Sequence, residues 1–279
     1  MLVDKPAGLT SHDVVLRIRR VLATRAVGHT GTLDPFATGL LVALVGRATR
    51  LARFVEAQPK RYLATARLGL ATDTDDATGA PLREAVDVAH LGEAAVRSAL
   101  AGFLGEQQQR PPRYSAKHVD GQRSYRLARR GEGVDPAAIT VTVHQMELVR
   151  FAPPDVEFRV TVSPGTYVRA LARDLGERLG VGGHLTSLRR EAIGGLRVAD
   201  AVPLDRLTRE AVLPVRAVLR HLPAVELDEP GRIAVRHGRA LPAEAGAEGL
   251  VALLRGGEVV AVARAADGWL RPSVVLEAP

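Results

Sequence analysis

Apolar and polar residues alternate in the segment DVEFRVTV, residues 155–162. Its apolar positions are Val156, Phe158, Val160 and Val162. Successive side chains of a strand face opposite ways, so these four would share one side of an extended chain. A strand with one apolar side has to lie in a sheet whose covered face contacts another layer. The segment therefore predicts a half-buried sheet.

The segment LTSHDVVLRIRRVLATRAVGHTG, residues 9–31, has a helical repeat instead. Thr10 can cap this helix, and Asp13 follows three residues later, which is the spacing of a capping box. Apolar residues then recur every three or four positions, at Val14, Ile18, Val21 and Leu22. Strand and helix patterns both continue along the chain, so the two kinds of element intermix.

The composition changes near His221. Beyond it, short Val- and Leu-rich runs separated by glycine pairs predict a compact β-rich module. A chain of 279 residues is long enough for a large domain and a small one. We therefore expect a large domain over residues 1–221 and a small one over residues 222–279.

Composition and motifs argue against several kinds of site. The chain has no cysteine, which excludes disulfides and cysteine nucleophiles, and no HExxH pattern supports a metal site. GHTGTLD lacks the GK[ST] ending of a phosphate-binding loop, and GVGGH lacks the third glycine of a dinucleotide loop. DTDDATG fails the spacing of an EF-hand and is interpreted as a polar turn after a strand. We expect no metal and no cofactor.

The hydropathy pattern predicts a folded chain outside the membrane. Apolar residues make up 46% of the sequence, and the mean hydropathy is +0.03. No apolar run approaches the roughly 18 residues that a membrane helix needs. The first segment, MLVDKPAGLTSHD, has no apolar core of a signal peptide. We expect a cytoplasmic protein with no membrane partner.

Positive charge is concentrated in one segment, at about residues 108–134. The formal net charge is +7, and most basic residues are arginines, which bind phosphate oxygens in a bidentate way. The segment also has two tyrosines and almost no aliphatic core, a composition typical of an insertion that contacts nucleic acid. A solvated surface loop is the alternative. The candidate phosphate contacts are Lys117, Arg123, Arg126, Arg129 and Arg130.

One carboxylate, Asp34, lies between the turn GHTGT and the apolar run after Pro35. An Asp before Pro is commonly a turn residue, and this segment alone leaves that alternative open. As a nucleophile, Asp34 would have to stay ionised where there is little water, which needs a nearby cation. Arg169 is a candidate, since it follows Tyr167 where a strand leads into a helix. Tyr62 begins another strand, where an aromatic ring could line a cleft.

Four segments together resemble successive motifs of the TruB family of pseudouridine synthases. They are GHTGTLDPFATGLL, KRYLATARLGLATDTDDATG, RPPRYSAKHVDGQRSYRLARRG and GTYVRALARDLGERLGVGGHLTSLRR. They occur in that family's order and spacing, from Lys5 and Pro6 to about Arg190. The tail resembles that family's C-terminal PUA-type RNA-binding module through GRALP and WLRPSVVL.

The resemblance implies an α+β pseudouridine synthase fold. A mixed, mainly antiparallel central sheet flanked by helices would form the catalytic domain, residues 1–221, and residues 222–279 would form a small β-rich PUA-like RNA-binding domain. Several acidic residues in that tail leave its strength as an RNA binder open. The implied reaction is the isomerisation of uridine to pseudouridine, at uridine 55 in the T loop of tRNA, without metal or cofactor.

By the same resemblance, Asp34 is the catalytic nucleophile, Tyr62 the active-site tyrosine and Arg169 the partner of the aspartate. Two alternatives stay open for the attack by the carboxylate, one at C1′ of the sugar and one at C6 of the base. The target base must leave its stack before chemistry. The substrate-binding positions that the resemblance implies are Lys5, His29, Tyr62, Tyr167 and Leu188, with His29 helping to hold the site of the flipped nucleotide.

The partner implied by the resemblance is the T arm of tRNA, bound by a monomer with no obligatory protein partner. One alternative is a non-catalytic RNA-binding protein of the same fold. Another is a hydrolase with an Asp nucleophile that acts on a nucleoside or a sugar. The combination of Asp34, Tyr62 and Arg169 favours the isomerase, and a hydrolase would leave the basic insertion without a role.

Overall fold

The structure, a computed structural model, describes residues 1–114 and 136–277 together with the backbone of two short strands between them. The helices are α1 (Ser11–Leu22), α2 (Ala52–Glu56), α3 (Glu93–Ala101), α4 (Val168–Arg178) and α5 (Glu229–Arg236). The strands are β1 (Leu2–Lys5), β2 (Val27–Thr30), β3 (Thr38–Val45), β4 (Lys60–Leu68), β5 (Gly105–Gln109), β6 (His118–Val119), β7 (Gln122–Arg123), β8 (Ile139–Ala152), β9 (Asp155–Val162), β10 (Gly183–Ile193), β11 (Leu196–Arg197), β12 (Val202–Pro203), β13 (Ala224–Glu226), β14 (Leu241–Pro242), β15 (Gly249–Arg255), β16 (Glu258–Ala266) and β17 (Trp269–Val275). No helix in these described ranges is long and apolar enough to cross a membrane.

A ten-stranded sheet forms the large domain, in the order β12-β1-β3-β10-β4-β9-β8-β5, with β2 beside β3 and β11 beside β10. Among the described strands of this sheet, β1 pairs with β12 and β3 with β10 in parallel, and the other neighbours are antiparallel. α1, α3 and α4 pack their apolar sides against it. The predicted α+β architecture, with a mixed and mainly antiparallel sheet, is confirmed.

β9 has the one-sided burial that its sequence predicts. The side chains at positions 156, 158, 160 and 162 are at most 1% exposed, and those between them are half-buried. They share an apolar cluster with Val96 and Leu100 of α3 and with Leu171 and Leu175 of α4. Removal of this apolar surface from water stabilises the sheet against its helical layer. β4 pairs with β9 on one side and with β10 on the other.

The first turn of α1 forms as predicted, but the helix ends at Leu22, earlier than predicted, and Val27–Thr30 is strand β2. The Thr10 hydroxyl accepts a hydrogen bond from the Asp13 backbone N–H at 3.1 Å, and the Asp13 carboxylate accepts one from the Thr10 N–H at 2.8 Å. The two bonds close a capping box. Val14 and Ile18 then bury the apolar side of the helix against β3.

β10 lies at the centre of the large sheet, although its sequence has no apolar alternation. The pattern is interrupted because Arg190, a cation, is 1% exposed on the buried face. On the neighbouring β3, Gly39 pairs with Arg190 and has a φ of 100°. A Cβ at Gly39 would clash with the Arg190 main chain, so the parallel pairing of β3 and β10 requires glycine there.

The small domain is a five-stranded sheet, in the order β13-β15-β16-β17-β14, with α5 beside it. Its β-rich character agrees with the sequence, whereas α5 was not expected. The domain boundary between residues 221 and 222 stays a prediction, and it falls just before β13. One apolar cluster crosses that boundary, since Val42, Phe54 and Leu219 of the large domain pack with Val262 and Leu276 of the small one.

The basic segment RATRLARFVE folds as a 3-10 helix, Gly46–Leu51, followed by α2. Its arginines bind the small domain, in or just after β17. The donor–acceptor pairs are Arg47 to the Leu276 carbonyl at 3.0 Å, Arg50 to the Val275 carbonyl at 2.5 Å, and Arg53 to the Ser273 hydroxyl. These guanidinium groups therefore hold the two domains together.

Because the two domains share a core, we expect them to unfold together. The fluorescence of Trp269, the only tryptophan in the sequence, follows the unfolding of the small domain, and far-UV circular dichroism follows that of the whole chain. Leu219→Ala should lower the free energy of unfolding by about 2–5 kcal/mol. The urea midpoints measured by fluorescence and by circular dichroism should shift equally. Leu213→Ala is the matched control, since Leu213 is 41% exposed and its loss should change stability by about 0.5 kcal/mol or less. Two separate transitions would contradict the shared core.

Candidate active site

A cleft of about 320 Å³ opens where β4 and β10 meet the loop after β2 and the start of α4. Five of the residues that the sequence predicts as catalytic or substrate-binding line it: Asp34, Tyr62, Tyr167, Arg169 and Leu188. They come from distant parts of the sequence, and the sheet brings them to one place.

Asp34 and Arg169 form a two-pronged ion pair. Arg169 Nε lies 2.9 Å from Asp34 Oδ2, and Arg169 Nη2 donates to Asp34 Oδ1 at 3.3 Å. The Arg169 side chain is 7% exposed, whereas that of Asp34 is 35% exposed. The fork of the guanidinium fixes the plane of the carboxylate, and the carboxylate remains accessible from the cleft.

Arg169 is held in one orientation by further partners. Its Nη1 donates to the Thr74 carbonyl at 2.9 Å and lies 3.4 Å from Asp76 Oδ2. Its Nη2 also donates to the Tyr114 carbonyl, at 3.0 Å. Asp76 is buried, and its Oδ1 accepts hydrogen bonds from the hydroxyls of Thr74 and Thr78. A second carboxylate therefore stands behind the arginine that pairs with Asp34.

The turn DTDDATG supplies this second carboxylate, whose pairing with Arg169 was not predicted from the sequence. Asp75 and Ala77 exchange backbone hydrogen bonds with Leu185, so the turn is fixed to β10. Arg173, one helical turn after Arg169, pairs with Asp75 at 2.9 Å. The signal available in the sequence was a pair of adjacent aspartates, Asp75 and Asp76, together with two arginines four residues apart, Arg169 and Arg173. Among the described residues, no group of three or more His, Asp or Glu is placed to hold a metal ion.

The surroundings of Asp34 shift its ionisation. Burial raises the pKa of the Asp34 carboxyl above its ordinary value, the guanidinium of Arg169 opposes that shift, and the charge of Asp76 adds to it. A carboxylate in this setting is partly removed from water and has a cationic partner. Those are the two conditions that a nucleophilic aspartate needs.

Lys5 lies behind the loop that carries Asp34. It is fully buried, and its Nζ donates to the carbonyls of Pro6, Pro35 and Ala37 at 2.9, 3.3 and 2.7 Å. Burial lowers the pKa of Lys5 to about 8, although the charge of Asp34 opposes the shift. All three ammonium donors are thus used within the protein. This placement fits a role in positioning the loop, and direct contact with substrate stays a prediction.

The walls of the cleft are apolar and aromatic. Tyr62 on β4 and Leu188 on β10 are 9% and 7% exposed. Tyr167 precedes α4, and its main chain is held by the Gln109 side chain through bonds of 2.8 and 3.1 Å. Such walls beside a carboxylate suit a planar base, with room for stacking.

His29 lies on β2, and it is not among the described residues that line the cleft. Its Nδ1 is buried and has no hydrogen-bond partner among the described residues. Burial, with the charges of Arg190 and His12, lowers the pKa of His29 below its usual range, so the ring is neutral at pH 7. Its part in holding a flipped nucleotide stays a prediction.

The predicted phosphate contacts of the insertion are not tested by the structure. Lys117, Arg126, Arg129 and Arg130 lie outside the described residues, and Arg123 is described only through its backbone in β7. The root of the insertion is tied to α4, since Arg169 and Arg173 donate to the carbonyls of Tyr114 and Arg110.

Comparison with known proteins places the chain in a family. The model of the TruB family pseudouridylate synthase N-terminal domain matches residues 19–168, and that of the tRNA pseudouridylate synthase B C-terminal domain matches residues 169–222. The chain belongs to the TruB family of pseudouridine synthases. It is therefore an enzyme, an isomerase, and the resemblance seen in the sequence motifs is confirmed.

Relatives support the same assignment over the whole length. The chain is 47% identical over 286 residues to the tRNA pseudouridine synthase B of Thermobifida fusca (strain YX), covering 99% of this chain and 97% of that protein. It is 43% identical over 287 residues to the protein of that name from Mycobacteroides abscessus, covering 100% and 96%. The Cbf5–Nop10–Gar1 crystal structure contains a chain with 28% identity and a TM-score of 0.78, covering 99% of this chain and 84% of that one. The family fold thus extends into the small domain.

Proposed function

We propose that this protein converts uridine 55 in the T loop of tRNA to pseudouridine, with Asp34 as the nucleophile. The observation that carries the proposal is the Asp34–Arg169 pair, which lies in a cleft walled by Tyr62, Tyr167 and Leu188. The choice of tRNA is supported by the relatives that bear the name tRNA pseudouridine synthase B.

In the proposed mechanism, the uridine leaves its stack at a cost on the order of a few kcal/mol, which contacts in the cleft offset. Asp34 attacks C1′ of the sugar or C6 of the base, and the N1–C1′ bond breaks. The uracil rotates and C5 bonds to C1′. The bond from Asp34 to C1′ or C6 breaks, which regenerates the free carboxylate, C5 loses its proton, and N1 takes one up. The atoms balance within one nucleotide, so the rearrangement needs no cofactor.

Each neighbouring side chain has a role in this scheme. Arg169 keeps Asp34 ionised and oriented, because it binds both carboxylate oxygens. Tyr62 stacks on the uracil, and Tyr167 and Leu188 close the pocket around it. His29 occupies the space that the flipped base leaves in the RNA.

We propose that the enzyme acts as a monomer with no obligatory protein partner. The support is that one chain supplies Asp34, Arg169 and the walls of the cleft. The insertion at about residues 108–134 and the PUA-like domain, residues 222–279, would bind the T arm. Because the proposed substrate is tRNA, the cytoplasm is the proposed site of action.

The test of this function is tritium release from a T-arm stem-loop labelled at C5 of its uridines. The proposed enzyme should release tritium in proportion to the pseudouridine formed, and only from the position that corresponds to uridine 55. Binding without release would instead identify an RNA-binding protein. Free uracil among the products would identify a hydrolase.

We expect the rate to fall on the acid side at a higher pH than an ordinary aspartate would give. Attack requires the ionised carboxylate, and burial raises the pKa of Asp34. As the pH falls through this raised pKa, Asp34 is protonated and kcat/KM declines. The measurement is single-turnover kcat/KM from about pH 4 to pH 8, where the reference pKa is about 3.9. A constant rate down to about pH 4, with the RNA still folded, would contradict the burial argument.

Binding should also depend steeply on salt. Phosphate contacts release counterions, so the affinity for the T arm should fall about tenfold or more between about 50 and 200 mM salt. Filter binding at several salt concentrations measures the slope. A flat response would contradict the account in which arginines of the insertion bind phosphates.

A further inference from the structure

A second pair of cations lines the same cleft as Asp34. Arg190 on β10 is 1% exposed and Lys60 on β4 is 8% exposed, and both belong to the cleft wall. Neither was singled out in the sequence. They lie on one side of the sheet, because Arg190 pairs with Tyr62 across the two strands, and Lys60 is two residues before Tyr62 on the same face of β4. The two cations therefore flank the proposed stacking surface.

Arg190 has no carboxylate partner among the described residues. Its Nε donates to the Leu40 carbonyl at 2.7 Å, and its Nη2 donates to the Gly31 carbonyl at 2.9 Å. The other buried cation of the cleft, Arg169, has both Asp34 and Asp76. A buried charge is costly when no opposite charge accompanies it. Arg190 thus brings an uncompensated positive charge to the wall of the cleft.

Lys60 adds to this excess. Its Nζ donates to the carbonyls of Glu56 and Gln58, the latter at 2.7 Å. It forms no ion pair with a described carboxylate, and the only carboxylate charge that acts on it is that of Glu56. Burial, and then the charge of Arg190, lower the pKa of Lys60 to about 8, with Glu56 opposing. The neighbouring arginine therefore acts on Lys60 electrostatically. An anion between the two cations would relieve both.

Lysine itself is rare in this chain. Of 38 basic residues, only Lys5, Lys60 and Lys117 are lysines. An ammonium group is compact, and it presents three donors where a guanidinium would need a wider site. At Lys60, two donors bind carbonyls, which leaves the third for a ligand in the cleft.

We propose that Arg190 and Lys60 form a phosphate subsite, which receives the backbone phosphate next to the flipped nucleotide. The inference rests on the proposed function, because RNA is the anion that enters this cleft. The subsite would hold the sugar–phosphate backbone while Asp34 and Tyr62 act on the nucleoside. It assigns an anionic partner to two buried cations that form no ion pair within the part of the chain that the structure describes.

The test removes single phosphate charges from the RNA. T-arm stem-loops carry one methylphosphonate, on the 5′ or on the 3′ side of the target uridine, and their Kd is compared with that of the unmodified RNA. For the unaltered enzyme, one of the two should weaken binding about tenfold, the effect of a charge-assisted contact. No weakening at either position would overturn the proposal, and this result needs no variant protein.

Protein variants then locate the contact. In Lys60→Gln, which can still donate to the carbonyls, the same methylphosphonate should weaken binding about twofold or less, because the contact is already lost. Arg61→Gln is the matched control, since Arg61 lies on the opposite face of β4, pairs with Glu191 and is 43% exposed. It should retain the full tenfold effect. Equal effects in Lys60→Gln and the unaltered enzyme would mean that Lys60 only caps α2, and would overturn the proposal.

Pseudouridine formation on the unmodified stem-loop separates this inference from the proposed function. If the RNA is converted but the methylphosphonate effects are equal, the subsite is wrong and the function stands. If the coupling is present but no pseudouridine forms, the phosphate subsite stands and the reaction is wrong.

Discussion

Asp34→Asn is expected to abolish turnover while leaving affinity for the T arm within a few-fold of that of the unaltered enzyme. The amide keeps the size of the side chain but has no anionic oxygen to attack carbon, so the covalent step is lost. Removal of a nucleophile commonly lowers kcat by about 10⁴-fold or more. Single-turnover tritium release measures the rate, and filter binding measures the Kd.

Asp155→Asn is the matched control for this change. Asp155 also binds an arginine through two hydrogen bonds, of 2.9 and 3.0 Å to Arg67, but that pair lies on the exposed end of β4 and β9. Its loss should leave the rate and the Kd nearly unchanged, since exposed ion pairs contribute about 1 kcal/mol or less to stability. If Asp34→Asn weakened binding as strongly as it slowed turnover, Asp34 would be a structural residue.

Arg169→Met is expected to lower both turnover and stability. It leaves Asp34 and the buried Asp76 together without their shared cation, and removal of one partner of a buried pair costs about 3–5 kcal/mol. The pKa of Asp34 should rise further in this variant, because in the unaltered enzyme Arg169 opposes the effect of burial on that pKa. We expect a rate lower by about 10²-fold or more at neutral pH, with an acid limb at higher pH.

Arg173→Met separates the effect on stability from the effect on chemistry. Arg173 lies one turn further along α4 and pairs with Asp75 and Asp174, but it does not contact Asp34. A comparable loss in the free energy of unfolding is expected, with a loss of rate below about tenfold. Equal losses of rate in the two variants would mean that Arg169 acts through folding alone.

The sequence predicts the elements whose signals are local. The capping box of α1 depends on Thr10 and Asp13, three residues apart, and the burial of β9 follows from alternation within eight residues. Short-range geometry determines such features, so no distant partner is needed to infer them.

The elements that escaped prediction depend on distant partners. β10 has no apolar alternation because one of its buried residues is Arg190, which is tolerated only where the carbonyls of Leu40 and Gly31 receive it. The sequence predicts Asp76 as a turn residue, and only the fold shows that Arg169 lies 3.4 Å from its carboxylate. Arg47, Arg50 and Arg53 also have distant partners, since β17 and the residue after it accept their hydrogen bonds.

By itself, the sequence determined the α+β class, the family resemblance and Asp34 as the candidate nucleophile, because motif order and periodicity are properties of the chain. The tertiary structure decided that Arg169, 135 residues away in the sequence, binds both oxygens of that carboxylate. It also decided that Arg169 has carboxylate partners in the cleft, whereas Arg190 has only carbonyl partners among the described residues. Those facts follow from how the strands of the large sheet pack beside α4, and local propensity does not set the distance between residues so far apart.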